Sequence, residues 1–300
     1  MSLLVVGSLA LDTIETPTER RENILGGSAL HCAFSAAFFS PVRMVSVVGE
    51  DWNPADTKML EGRGIDMSGL EIPAGGKTFR WTGKYLENMN DRETLETQLN
   101  VLGNFQPKIP ASFRDSKYVL LGNGSTITQH MVIDQIDKPE LLVADTMNLW
   151  IDIERTELLR LLTRVDGLVL NDSEAKMLTG QINTVTAGRK ILDLGPKFVV
   201  VKKGEHGAML FSESETFMIP AYPTETVIDP TGAGDSFAGG MLGYIASTGK
   251  CDMKTIRRGI AYGSLIASFQ VEAFSMERLQ NLTRADIDER FARFQKMCEF

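Results

Sequence analysis

The segment from Asp229 to Gly240, DPTGAGDSFAGG, places small residues before an acid in a way that suits phosphoryl chemistry. Gly232, Ala233 and Gly234 let the main chain approach a ligand closely, and the apolar residues that follow recur at helical spacing. The first N–H groups of a helix have no partner within it and carry partial positive charge, so they bind anions. The negative charge of a transferred phosphoryl group could be stabilised there.

Asp235 follows these small residues in the first helical turn. We expect the helix N-terminus to keep its carboxyl group ionised at neutral pH, ready to accept a proton from an attacking alcohol. A plain helix cap is the alternative, because Asp and Gly are both common where helices begin. Three small residues directly before an acid are more than a cap requires. The pattern therefore predicts a catalytic base at Asp235.

Two further segments follow apolar strands. Asn171 and Glu174 come after Gly167–Leu170 and share one face of a helical turn, where an amide and a carboxylate suit hydrated Mg²⁺. The same spacing also makes a helix-capping pattern, and the residues alone leave both interpretations open. Lys202 follows the strand Phe198–Val201 and leads into a generic turn between Gly204 and Gly207.

The N-terminal region supplies a fourth group of polar and small residues. Asp12 follows the first apolar strand, and Gly26 and Gly27 come directly before a helix that carries His31. A carboxylate such as Asp12 can accept two hydrogen bonds from substrate hydroxyls. It could equally be a turn residue, because Asp side chains favour turns.

Apolar strands alternate with amphipathic helices over most of the 300 residues, of which 43% are hydrophobic. This alternation predicts a mostly parallel sheet with helices on both faces, and ligands in such folds bind beyond the carboxyl ends of the strands. The length allows one domain with a small insert. The predicted strands are Leu3–Gly7, Val42–Val48, Tyr118–Leu121, Leu141–Ala144, Gly167–Leu170 and Phe198–Val201.

One stretch has the period-two pattern of a hairpin. Lys77–Tyr85 and Thr94–Leu102 alternate apolar and polar residues, and the polar turn Asn88–Arg92 joins them. Together with Thr13–Leu25 they could form a β lid over a site, although an ordinary surface hairpin gives the same pattern. Arg80 and Lys84 share a face of this flap, where they could contact an acidic sugar or remain solvated.

Composition excludes several classes of protein. The formal net charge is −8 with no dense basic block, which argues against a nucleic-acid partner. Three scattered cysteines, Cys32, Cys251 and Cys298, do not form a disulfide framework or a zinc site. The N-terminus lacks signal-peptide features, and no apolar run reaches the ~18 residues of a membrane span. We therefore expect a cytoplasmic protein without a membrane partner.

The four segments, in this order, closely resemble the ribokinase-like carbohydrate kinase family of the phosphofructokinase-B type, and the resemblance covers nearly the whole chain. It implies an α/β fold, ribokinase-like, with a central mostly parallel sheet flanked by helices and a small β-sheet lid. Residues 1–300 would form one kinase domain, with the lid inserted at approximately 12–25 and 77–103. The cofactors implied are ATP and Mg²⁺, with K⁺ as an optional third.

The resemblance also implies roles for individual residues. The catalytic base would be Asp235, with its anion hole formed by Gly232, Ala233 and Gly234. Substrate hydroxyls would be held by Asp12, Gly26 and Gly27, and the nucleotide by Asn171, Lys202, Gly204 and Gly207. Glu174 and Asn171 would hold Mg²⁺, in part through water, and Asp229 lies where many members bind a monovalent cation. His31 departs from the family pattern, which commonly has Asn there; its imidazole could contact the substrate or pack within the helix.

We therefore expect an ATP-dependent kinase that transfers the γ-phosphoryl group to a hydroxyl of a small sugar or sugar derivative. A nucleoside kinase of the same fold and a catalytically silent nucleotide- or sugar-binding regulator are the alternatives. A dinucleotide-dependent oxidoreductase is disfavoured, because Gly7-Ser8-Leu9 lacks the G-x-G-x-x-G pattern. Exposed edges of the lid strands would allow a homodimer through the lid.

Overall fold

A nine-stranded, mostly parallel sheet forms the centre of the protein, and a separate four-stranded sheet lies beside it. The computed structural model describes residues 1–299. In chain order the strands are β1 (Leu3–Val6), β2 (Ala10–Glu15), β3 (Arg20–Gly26), β4 (Val42–Val47), β5 (Ile65–Glu71), β6 (Arg80–Tyr85), β7 (Arg92–Gln98), β8 (Tyr118–Leu121), β9 (Leu141–Asp145), β10 (Gly167–Asn171), β11 (Phe198–Lys202), β12 (Ala208–Ser212) and β13 (Thr216–Ile219).

The order of the large sheet is β13-β12-β11-β10-β9-β8-β1-β4-β5. Every neighbouring pair from β11 to β5 is parallel, whereas β12 and β13 extend one edge in antiparallel pairing. All six predicted strands are present within a residue or two of their predicted ends. The expected ribokinase-like α/β architecture with a small lid sheet is confirmed.

Helices cover both faces of the large sheet. They are α1 (Ser28–Ala36), α2 (Pro54–Gly62), α3 (Thr126–Ile133), α4 (Asn148–Ile153), α5 (Arg155–Leu162), α6 (Asp172–Thr179), α7 (Thr184–Leu192), α8 (Ala233–Thr248), α9 (Met253–Gln270), α10 (Glu277–Gln280) and α11 (Arg284–Met297). Within residues 1–299, none of them has both the length and the apolar character that a membrane crossing requires.

Successive residues of β1 explain why its sequence is apolar throughout. Leu3 and Val5 belong to a core shared with α1, α8 and α9, whereas Leu4 and Val6 belong to a second core shared with α3 to α7. A strand buried on both faces has no solvent-exposed positions that would favour polar residues. The continuous apolar runs in the sequence follow from this arrangement.

Helices α1 and α8 pack with their main chains unusually close together. A Cβ atom at Gly243 in α8 would lie 2.6 Å from the Cα atom of Ala36 in α1, and one at Gly239 would overlap the main chain of Cys32. Glycine at these two positions, one helical turn apart, removes the side chains that would otherwise separate the helices. This contact fixes the position of α8, whose first turn carries Asp235.

The small sheet has the order β3-β2-β6-β7, with β2 and β6 parallel and the other two pairs antiparallel. We call these four strands the lid. Its inner side packs onto the main domain through an apolar cluster built on Ile14, Tyr85 and Phe274. The hairpin predicted from the period-two pattern is therefore part of a lid, and the bounds of the insert at 12–25 and 77–103 remain a prediction.

The predicted strand Thr94–Leu102 is wrong at both ends. Strand β7 begins at Arg92 and ends at Gln98, after which Asn100, with φ 49°, starts a short turn of helix. The N–H of Val101 donates to the carbonyl of Lys77, and the side chain packs against the main core. Contacts with the main domain thus turn the chain out of the lid sheet after Gln98, although apolar and polar residues continue to alternate there.

We expect Gly243→Ala to destabilise the protein. The added methyl group would force α1 and α8 apart, which costs about 1–3 kcal/mol and outweighs a gain in helix propensity of about 1 kcal/mol. Gly62→Ala in α2 is the matched control, because no heavy atom lies within 4 Å of its Cβ position. Urea unfolding of both variants would test this, and a Gly243→Ala variant as stable as Gly62→Ala would contradict it.

Candidate active site

The start of α8 forms a positively polarised loop. Gly232 is the N-cap residue with φ 73°, a left-handed conformation that favours glycine, and a Cβ atom there would overlap the ring of His31. No side chain caps this helix, and the N–H of Ala233 donates to the carbonyl of Pro230 at 3.1 Å. The N–H of Gly234 is therefore among the donors that remain for a ligand. We call Gly232, Ala233 and Gly234 the anion loop.

Asp235 lies in the first turn of α8, directly behind the anion loop. Burial raises the pKa of Asp235 to about 7; the nearby Asp145 adds to this rise, and the positive charges of Lys202 and Arg92 oppose it. Loss of water thus opposes the helix N-terminus, which we expected to keep this carboxyl group ionised at neutral pH. A base with a pKa near the working pH is well suited to proton transfer.

Lys202 lies beside the anion loop at the end of β11. Its Nζ atom would be 3.0 Å from a Cβ atom at Gly234, and it forms a salt bridge of 3.0 Å with Oδ2 of Asp145 at the end of β9. Burial alone would lower the pKa of Lys202, but Asp145, Glu174 and Asp235 together raise it. The lysine thus stays charged and brings a positive charge next to the main-chain donors of the loop.

Asn171 and Glu174 form the capping box that one interpretation of their spacing predicted. Oδ1 of Asn171 accepts from the N–H of Glu174 at 2.8 Å, and Oε2 of Glu174 accepts from the N–H of Asn171 at 2.7 Å. Burial raises the pKa of Glu174 to about 7, and Lys202 opposes this. The cap uses one carboxylate oxygen, so Oε1 remains for a water of hydrated Mg²⁺, and the metal role stays a prediction.

The residues expected to hold the acceptor come together on the other side of the anion loop. Asp12 in β2 is buried, and glycine at position 26 leaves the space that its Oδ2 atom occupies. Oδ1 of Asp12 has no hydrogen-bond partner within residues 1–299. Burial, with the negative charges of Asp229 and Asp235, raises the pKa of Asp12 to about 8. Gly27 is the N-cap residue of α1, and a Cβ atom there would overlap the main chain of Ser8.

His31 is a buried residue of α1 whose ring packs against Gly232. Burial lowers its pKa to about 4, and the Gln270 side chain opposes this effect. The imidazole is therefore neutral at physiological pH. Its position beneath the anion loop favours the packing interpretation, and its role as a substrate ligand stays a prediction.

The lid closes over the site by contacts at its tip. The turn that joins β11 to β12 runs from Gly204 to Gly207, and His206 within it is exposed. Nδ2 of Asn90, in the hairpin of the lid, donates to Oε1 of Glu205 in this turn at 3.1 Å. The hydroxyl of Thr231, next to the anion loop, donates to the Tyr85 hydroxyl at 3.1 Å.

Arg92 is the lid cation that acts on the site, and the sequence did not single it out. Its positive charge opposes the rise in pKa that burial causes at Asp235 and Glu174. The two cations that the sequence did single out lie elsewhere: Arg80 pairs with Asp51 at 3.0 Å, and Lys84 pairs with Glu15 at 2.6 Å.

The structure thus brings most of the predicted residues to one place. Asp235, the anion loop, Lys202, Glu174 and Asp12 surround the ends of the central strands, and the Gly204–Gly207 turn borders them. Asp145 was missed, although a polar residue directly after the apolar strand Leu141–Ala144 is a signal that could have found it.

Comparison with known proteins was made on sequence and on structure. Residues 2–277 match the pfkB family of carbohydrate kinases. The chain is 31% identical over 267 residues to a cytidine kinase of Thermococcus kodakarensis, an alignment that covers 87% of this chain and 94% of that protein.

Two solved structures share the fold. A protein of Escherichia coli assigned as ribokinase II, in complex with ATP and Mg²⁺, superposes with a TM-score of 0.80 at 20% identity, covering 97% of this chain and 99% of that one. A nucleoside kinase of Burkholderia thailandensis in complex with inosine gives 0.79 at 22% identity, with 97% of each chain covered. The family match over nearly the whole chain and the cytidine kinase relative lead to one conclusion: this protein belongs to the pfkB family of carbohydrate kinases.

Proposed function

We propose that the protein transfers the γ-phosphoryl group of ATP to a hydroxyl of a sugar-containing acceptor, with Asp235 as the base. The observation that carries this is the juxtaposition of Asp235 with the anion loop and the Lys202 ammonium group. A base for the acceptor and a positively charged receptor for the phosphoryl group thus lie side by side at the start of α8. A silent binding regulator would not need both.

The transfer can be written atom by atom. The acceptor hydroxyl gives its proton to a carboxylate oxygen of Asp235 while its oxygen forms a bond to the γ-phosphorus. The bond from the γ-phosphorus to the bridging oxygen breaks, and ADP leaves with that electron pair. The Gly234 N–H and Lys202 face the negative charge on the phosphoryl oxygens. Arg92 of the lid adds a third positive group.

The residues that would hold Mg²⁺ are Glu174, through its free Oε1 atom, and Asn171 through water. Mg²⁺, when bound, supplies positive charge to the ATP phosphates and orients them. The carboxyl of Glu174 has a pKa near 7, so it can give up a proton at little cost as positive charge approaches. Support for ATP and Mg²⁺ comes from the similar Escherichia coli structure that contains both.

Asp12 would hold the acceptor. With a pKa of about 8, its carboxyl group is mostly protonated at neutral pH, so it can donate one hydrogen bond and accept another. Its unpartnered Oδ1 atom is the natural acceptor for a substrate hydroxyl. Free sugars and nucleosides both carry such hydroxyls. The 31% identical cytidine kinase supports a nucleoside as the first acceptor to test, with a small sugar as the alternative.

We also propose that two copies associate through their lids. Strand β7 is an edge of the lid sheet, all of its residues are exposed, and Leu95 is 52% exposed. An exposed edge strand can pair with another chain.

The net charge of −8 supports the proposal that the protein does not bind nucleic acid. The use of ATP supports the cytoplasm as its location.

Turnover should appear with one acceptor class and depend on Asp235. We would measure ADP release from Mg·ATP with cytidine, inosine, ribose, fructose and keto-acid sugars, using wild type and Asp235→Asn. Loss of the base should lower kcat by roughly 10²- to 10⁴-fold while ATP binding, measured by calorimetry, persists. An Asp235→Asn variant that keeps wild-type turnover would exclude Asp235 as the base.

The pH profile should report the raised pKa of Asp235. The active form is the carboxylate, and its folded pKa of about 7 lies above the ordinary value of 3.8, so activity is lost as pH falls through 7. We expect kcat/KM to fall about tenfold per pH unit below this point. Asp12→Asn should keep this acid limb, because Asp12 is not the base. An acid limb near pH 4 in the wild type would contradict the proposal.

Arg92→Gln should lower kcat much more than it changes the KM for ATP, because the lid arginine acts on charge that develops during transfer. Removal of one such group typically costs about 10²- to 10³-fold in kcat. Arg20→Gln is the matched control: Arg20 is an exposed lid arginine like Arg92, but it pairs with Glu22 and is not among the charges that act on Asp235 and Glu174. Equal effects of the two substitutions would remove Arg92 from the site.

A further inference from the structure

Gln270, the last residue of α9, is fully buried and joins two loops that flank Asp229. Its Nε2 atom donates to the carbonyl oxygen of Thr231 at 3.2 Å and to that of Ser275 at 2.7 Å. Asp229 accepts hydrogen bonds from the N–H groups of the same two residues, at 2.9 Å from Thr231 and 3.5 Å from Ser275. Each loop is thus held at its N–H by Asp229 and at its carbonyl by Gln270.

The family resemblance led us to expect a monovalent cation beside Asp229. Such an ion is held by several oxygen atoms, with main-chain carbonyl groups prominent among its ligands. Here the carbonyl groups of Thr231 and Ser275 both point at the hydrogens of a buried amide. An ion in contact with these oxygens would lie against the positive end of the N–H dipoles. The residues present therefore do not fit a cation at this place.

The Gln270 carboxamide also lies close to His31, whose ring supports the anion loop at Gly232. Its oxygen, Oε1, and Nδ1 of His31 are both buried without a hydrogen-bond partner of good geometry within residues 1–299. The Gln270 side chain opposes the fall in the pKa of His31 that burial causes. The His31 ring packs against Gly232. Gln270 is therefore bonded to the loop segment through Thr231 and lies near the ring that supports the loop.

We propose that the Gln270 carboxamide replaces the monovalent cation and makes this kinase independent of K⁺. The amide supplies two donors where an ion would supply charge, and so it holds the Thr231 and Ser275 loops at a fixed separation. Gln270 is a positioning residue, because it acts through Thr231 on the anion loop and does not itself reach the reacting atoms. The effect on turnover rests on the proposed function; the absence of ion binding does not.

The wild-type protein gives the first test, in two independent measurements. Thermal unfolding in KCl, NaCl and choline chloride at equal ionic strength should give the same Tm. ADP release with the acceptor found in the panel should be equally fast in all three salts. A Tm that rises specifically in K⁺ would overturn the proposal even if no acceptor had been found. A rate of ADP release that is about tenfold or more higher in KCl than in choline chloride would overturn it as well.

Gln270→Ala should convert the protein into one that responds to K⁺. The substitution leaves both carbonyl groups without donors and opens space for an ion, so turnover and Tm should fall in choline chloride and recover in KCl. Gln270→Met fills the space without donors and should show no recovery. A folded Gln270→Ala variant that ignores K⁺ would overturn the assignment, and the wild-type measurements decide the case if the variant does not fold.

A second buried glutamine controls for general stabilisation by salt. Gln129 in α3 also donates from Nε2 to main-chain carbonyl groups, those of Gly122 and Asp145 at 3.0 Å each. Gln129→Ala should lower Tm equally in KCl and in choline chloride. Recovery of this variant in KCl to the same extent as Gln270→Ala would show that K⁺ acts on any such cavity, which would also overturn the proposal.

Discussion

Charge balance at the ends of the central strands is the constraint on which the site depends. Carboxyl groups from five positions lie there: Asp12, Asp145, Glu174 and Asp229 are buried, and Asp235 is half-buried. Buried charges of one sign destabilise a fold unless they are paired, hydrogen-bonded or neutralised. Three devices offset the cost: the Lys202 ammonium group, main-chain N–H donors, and proton uptake by acids whose pKa burial has raised. The acids that remain poised near neutrality are the ones that phosphoryl chemistry can use.

The sequence was informative about the fold wherever burial determines the residue type. Strand β1 is apolar on both faces because a core lies on each side, so its position could be predicted from composition alone. The end of β7 could not be predicted in this way. Leu99 and Val101 continue the alternating pattern of the hairpin, but the left-handed Asn100 between them turns the chain toward the main core. That turn depends on contacts with residues far away in the sequence.

The site was predictable where chemistry needs a local pattern. Asp235 and the anion loop are neighbours in sequence because one helix end presents them both. Asp145 has only the weak signal of a polar residue after a strand, and Arg92 and Gln270 have no local signature, so only the folded chain shows that the three face the same region. The raised pKa of Asp235 could not be predicted for a related reason. The helix N-terminus can be read from sequence, whereas the loss of water that opposes it depends on what packs around the helix.

The lid links the two halves of the site in one rigid sheet. Strand β2 carries Asp12, which we propose holds the acceptor, and the hairpin that follows β6 reaches Glu205 in the turn that we propose borders the nucleotide. Because β2 and β6 are paired, a movement of the lid toward the acceptor half of the site would also bring it over the nucleotide half. Occupancy of either half should then strengthen binding at the other by the same factor, as thermodynamic reciprocity requires. A four-stranded sheet of this kind would make the enzyme sensitive to the joint presence of two small molecules rather than to either alone.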